Sequence, residues 1–73
     1  MILDMKIYYK PTHDLLHIIF RESSEVRNER FNDDIIFDYD KDGKMVGIEI
    51  LDASEYLQLE DLLNVTVVQE KAS

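Results

Sequence analysis

Hydrophobic and polar positions alternate, or gather into short blocks, along most of the chain, and a longer period takes over only near its end. Met5-Lys6-Ile7-Tyr8-Tyr9 reads as a first strand, closed by Lys10-Pro11 because proline has no amide to give to a ladder. Leu15 to Phe20 is an apolar run broken only by His17, and its length and β-branched content predict a central strand. Glu25 to Phe31 alternates charge signs and holds few apolar groups. That fits a solvated outer strand, with a helix as the alternative. Ile35-Ile36-Phe37-Asp38-Tyr39 and Met45-Val46-Gly47-Ile48-Glu49-Ile50 predict two more strands, the second with Val46, Ile48 and Ile50 at strict period 2.

Asp42-Gly43 between those two runs is a hairpin signal. A three-residue loop, Lys41-Asp42-Gly43, places Gly43 in the left-handed conformation and sets Asp40 opposite Lys44. An unbroken register then puts Asp38 beside Val46, Ile36 beside Ile48 and Asp34 beside Ile50 on one face. Tyr39 pairs with Met45, Phe37 with Gly47 and Ile35 with Glu49 on the other, so that Phe37 lies over bare backbone at Gly47. The face carrying Ile35, Phe37, Tyr39 and Met45 is the expected interaction surface, in need of cover from outside the chain.

After Ile50 the period lengthens. Tyr56, Leu59, Leu62 and Leu63 share one side of a helix. Asp52 stands where a cap is wanted, and Glu55 is spaced to reach back to it. Asn64 to Val68 reads as a strand or an extra helical turn. The expected fold is therefore α+β: an antiparallel β-meander of about five strands with one helix packed on one face. It forms a single domain over residues 5–63, with an extension at 1–4 and a strand or tail at 64–73.

Composition narrows the function classes. A chain of 73 residues makes one domain with a marginal core, for which pairing into a homodimer is a common remedy. It has no cysteine, hence no disulfide framework and no thiolate metal site. No apolar run is long enough to span a bilayer and no leader precedes the first strand, so the expected location is cytoplasmic. The net charge is −8, and its placement is uneven. Residues 1–31 hold five acidic and five basic side chains, whereas residues 32–73 hold eleven acidic and three basic. Such a half repels phosphate backbones and anionic membranes, so direct nucleic-acid binding is not expected and a basic protein partner is favoured.

Two patterns carry candidate chemistry. Asp38, Asp40, Asp42, Gly43 and Glu49 match an EF-hand loop position by position. The flanks are strands, however, and an EF-hand needs helices. Extended backbone carries Glu49 roughly 20 Å from the tip, which leaves Asp38, Asp40 and Asp42 as weak metal candidates only. His13 and His17 have a spacing that brings two imidazoles together on a helix, but on a strand they stand about 13 Å apart. Solvated carboxylates without a pocket do not make a catalytic site, so neither an enzyme nor a cofactor is expected.

Met5-Lys6-Ile7-x-Tyr9, Asp14-x-Leu16 and the block Asp38-Tyr39-Asp40-x-Asp42-Gly43-x-x-Val46-Gly47-Ile48-Glu49-Ile50-Leu51-Asp52-Ala53-Ser54 together resemble the small prokaryotic domain-of-unknown-function family 2283, over about residues 5–57. The resemblance implies a β-rich domain with a helix after the Leu-Asp-Ala-Ser run and no established activity. Through gene neighbours that resemble small toxins, it also implies an antitoxin-like role by association. The expected function is thus a small acidic interaction module, antitoxin-like toward a basic toxin. The alternative is a weak divalent-cation-binding domain built on Asp38, Asp40 and Asp42.

Overall fold

A computed structural model describes residues 5–64 and 68–69. Strands β1 (Lys6–Lys10), β2 (Leu15–Ile19), β3 (Arg27–Arg30), β4 (Ile35–Tyr39) and β5 (Met45–Ile50) form one antiparallel sheet in the order β1-β2-β5-β4-β3. β1 and β2 form a hairpin, and β3, β4 and β5 run up and down beside it. The most apolar strands, β2, β4 and β5, take the middle. The charge-alternating segment is a short edge strand whose residues are all exposed, where charge discourages pairing with another chain. Entry into β4 is set by Asn32, whose side-chain oxygen accepts from the amides of Asp34 and Ile35, both at 2.8 Å.

The central hairpin is present as expected. Asp40 donates its amide to Lys44 O at 2.8 Å, Gly43 donates to Asp40 O at 3.0 Å, and Gly43 has φ 85°. A methyl group at Gly43 meets no neighbour, so the constraint there is backbone conformation alone. Gly43→Ala is expected to cost about 1 kcal/mol, and Gly43→Asn less, because asparagine tolerates the left-handed region. Urea unfolding of the two variants checks this, and equal stability of Gly43→Ala and the parent would contradict it.

The register departs from expectation just past the turn. Tyr39 faces Met45, but a bulge between Asp38 and Tyr39 then sets Asp38 opposite Gly47, Phe37 opposite Ile48, Ile36 opposite Glu49 and Ile35 opposite Ile50. One extra residue on β5, Val46, reverses the parity of everything beyond it. Ile48 and Ile50 therefore join Ile35 and Phe37 on one face, together with Ile7, Tyr9, Leu16 and Ile18. The opposite face gathers Tyr8, His17, Ile19, Asn28, Ile36, Asp38, Gly47 and Glu49. The sheet thus has an apolar face and a polar face, where the unbroken register mixed the two.

The expected helix is absent, and the α+β assignment is corrected accordingly. After β5 the described chain contains only two short 3-10 segments, Ala53–Glu55 and Leu59–Asn64. Asp52 sits in the left-handed region (φ 52°, ψ 45°) and makes no side-chain cap, whereas a helix N-cap needs an extended backbone. The segment is instead pinned to the sheet. Leu51 donates its amide to Asp34 O at 2.7 Å, Ala53 donates to Asp14 O at 2.9 Å, and the Tyr56 hydroxyl donates to the Asp34 carboxylate. Anchors this close together hold the first turn in tighter i to i+3 bonding. Leu59 and Leu62 line a concavity with Ile7 and Tyr9 at the β1 end of the apolar face. Residues 1–4 and 65–67, where an extension and a further strand or turn were expected, lie outside the described residues. No helix among the described residues is long and apolar enough to cross a membrane.

Candidate functional site

Three adjacent strands each carry one polar side chain into the middle of the polar face. His17 of β2 is paired with Glu49 of β5, and Asp38 of β4 sits across from Gly47 on the same side. His17 Nε2 and Asp38 Oδ2 are 2.9 Å apart. The side-chain amide of Asn28, opposite Asp38 on β3, donates to the other carboxylate oxygen. One ligand atom from each of His17, Asp38 and Glu49 lies within 4.8 Å of the others.

Asp38 is buried, at 3% exposure. It owes its position to Gly47. A Cβ there would stand 2.8 Å from Asp38 Oδ2 and 2.9 Å from Ile18 O, so only glycine lets the carboxylate lie flat against the β2–β5 ladder. Burial pushes the Glu49 carboxyl above its usual range, and the neighbouring Asp38 carboxylate adds to the rise. His17 and Lys10 pull in the other direction. The cluster opens onto a concavity of about 390 Å³ walled by Arg21, Ser23 and Val26, and a second hollow lined by Tyr8, Lys10 and Leu15 flanks it.

The three aspartates of the EF-hand-like pattern are given different tasks. Asp38 belongs to the cluster. Asp40, at 7% exposure, accepts the amides of Asp42 and Lys44 at 2.9 Å each and pairs with the Arg21 guanidinium, which ties the loop after β2 to the hairpin tip. The backbone amides, led by that of Lys44, hold its carboxyl below the usual range. Asp42 is exposed at the tip. Glu49, which extended geometry removes from the tip, meets Asp38 because Asp38 is itself back along the hairpin. His13 lies in the β1–β2 turn beside Thr12 and outside the cluster.

A second polar constellation fastens the chain after β5. Asp14, in the β1–β2 turn, has φ 47°. Its carboxylate accepts the Tyr9 hydroxyl at 2.7 Å, the Ser54 amide at 3.1 Å and the Ser54 hydroxyl at 2.5 Å. The Ser54 bond, then that of Tyr9, holds Asp14 below the usual carboxylate range, and the same contact raises Tyr9. Asp14, forty positions away in sequence from Ser54, fills the capping role expected of Asp52.

The expected interaction residues share one face. Phe31 and Phe37 have ring centroids 5.6 Å apart, Phe37 and Tyr39 6.5 Å, and Arg27 lies 5.4 Å over the Tyr39 ring. Met45 is opposite Tyr39 and 39% exposed. Sequence reasoning did not include Phe31 in this row, although it is 67% exposed. It also missed the His17–Asp38–Glu49 cluster. The available signal was that each of the three apolar strands interrupts its hydrophobic run with a single ionisable residue.

These features define a small single-sheet domain, apolar on one face and bearing a histidine–carboxylate cluster on the other. The chain belongs to the protein family of unknown function DUF2283, whose model matches residues 6–54. That range holds all five strands, the cluster and the Asp14–Ser54 fastening. An uncharacterised protein of Methanocaldococcus jannaschii is 36% identical over 63 residues, covering 84% of this chain and 53% of that protein. The chain thus spans about half the length of that relative. No solved structure matches.

Proposed function

We propose that the domain is an interaction module that works through the apolar face of its sheet, pairing first with a second copy of itself. One observation carries this. Among the described residues only Leu16, Val46 and Ala53 are buried apolar side chains, while in the row Phe31, Phe37, Tyr39 and Met45 the two ends, Phe31 and Met45, are exposed and Phe37 and Tyr39 are only half-buried. A contiguous aromatic row with a methionine and a stacked arginine has the composition of an interface core. Size exclusion with light scattering is expected to give a dimer. Phe31→Asp and Phe37→Asp are each expected to raise its dissociation constant more than tenfold. Phe31 is the cleaner site, because at 67% exposure it is the most exposed of the row. A parent protein that stays monomeric at high micromolar concentration would sink the proposal.

The acidic charge favours a second reading, in which the module neutralises a basic, toxin-like partner. The net charge of −8 would draw such a partner to it by long-range attraction. Co-expression with the product of the adjacent gene tests this. The two are expected to co-purify at low salt and to separate as salt is raised.

A further inference from the structure

We propose that His17, Asp38 and Glu49 form a site for a first-row divalent metal ion on the polar face, independent of the apolar face used in the interaction proposal. The three side chains come from β2, β4 and β5, and their ligand atoms already lie within 4.8 Å of one another. In a tetrahedral zinc site, ligand atoms stand about 3.3 Å apart, so modest side-chain rotation closes the remaining gap. The backbone is shaped for this arrangement. The bulge at β5 puts Glu49 on the side of Asp38, and the bare Gly47 admits the carboxylate between them. Asn28 holds Asp38 Oδ1 and leaves Oδ2 aimed at the cluster, which is what an outer partner of a metal ligand does.

The charges point the same way. Two carboxylates side by side repel, and a cation between them turns that repulsion into binding. Without a metal, the pair can relax by sharing a proton. Glu49 is raised, and this proton-sharing pair is the alternative that the experiment must separate. The ligand set selects the ion. One imidazole nitrogen and two carboxylate oxygens suit zinc or manganese, whereas calcium takes six to eight oxygens and finds too few here. The neighbouring concavities leave at least one coordination position open to water or an external ligand.

The test uses Zn²⁺ as probe and Ca²⁺ as control on the whole chain, by calorimetry and by NMR of the two imidazoles. One Zn²⁺ per chain is expected, with the His17 ring resonances shifted, those of His13 unmoved and no response to Ca²⁺. Glu49→Gln removes a ligand and also the like-charge contact, so it should fold at least as well as the parent and bind Zn²⁺ more than tenfold more weakly. His13→Ala should bind as the parent does. Because ligands must be deprotonated to hold a metal, affinity should rise with pH. Binding that survives Glu49→Gln, or that moves to His13, or is absent at micromolar Zn²⁺, overturns the site. The cluster would then be a proton-sharing pair.

Discussion

Gly47→Ala is expected to lower the stability of the domain by about 1–3 kcal/mol, a fall in Tm of about 5–20 °C, and to unseat Asp38 from His17. The added methyl would lie 2.8 Å from a carboxylate oxygen and 2.9 Å from a main-chain oxygen of β2. Flexible side chains can yield to such a contact. Asp38 is buried and bonded to both His17 and Asn28, and Ile18 O belongs to the backbone of the central ladder. Either the β2–β5 pairing opens locally or the carboxylate leaves its seat. Thermal unfolding measures the first effect, and the His17 ring resonances report the second. Part of the loss should vanish when Gly47→Ala is made on an Asp38→Ala background, since the clash with the carboxylate oxygen is then gone and that with Ile18 O remains. A Gly47→Ala protein with parental Tm and parental His17 signals would show that the strand absorbs the methyl.

Asp14→Ala should cause the largest loss of stability of any single carboxylate replacement, well beyond that of the exposed Asp42→Ala. It removes the acceptor for Tyr9 and for both donors of Ser54, and it forces alanine into the left-handed backbone at φ 47°. Asp14→Asn separates the two causes, because asparagine accepts that conformation but carries no charge. The same carboxylate gives the domain an acid limit. Its folded-state pKa is depressed, so its stabilisation is complete above the unfolded value of about 3.9 and is lost as pH falls through the folded one. Asp40 acts in the same direction. Stability is therefore expected to fall below about pH 4, and the fall should be shallower in Asp14→Asn. An unchanged acid profile in that variant would place the acid limit elsewhere.

The strands were legible because their signals are local. Alternation in Met45–Ile50, the apolar run at Leu15–Ile19 and the Asp42-Gly43 turn each specify backbone without help from distant residues. The helix expectation failed for the opposite reason. The leucine spacing after Asp52 is helical, but the first turn is fixed by Asp14 and Asp34, and neither is near in sequence. Propensity over so short a segment is a weak preference, and a few tertiary hydrogen bonds override it. The bulge was also hidden. Val46-Gly47-Ile48 alternates well enough to be read straight, and the reason to insert a residue is the buried Asp38, visible only when the strands are placed side by side.

By itself the sequence determined an acidic, cysteine-free, strand-dominated domain hinged on Gly43, and it picked out Ile35, Phe37, Tyr39 and Met45 as one face. Tertiary structure alone decided the parity beyond that turn, and with it which side chains meet. A strand shows its neighbours opposite faces at every step, so one unpaired residue in β5 carried Glu49 from the apolar side to His17 and Asp38.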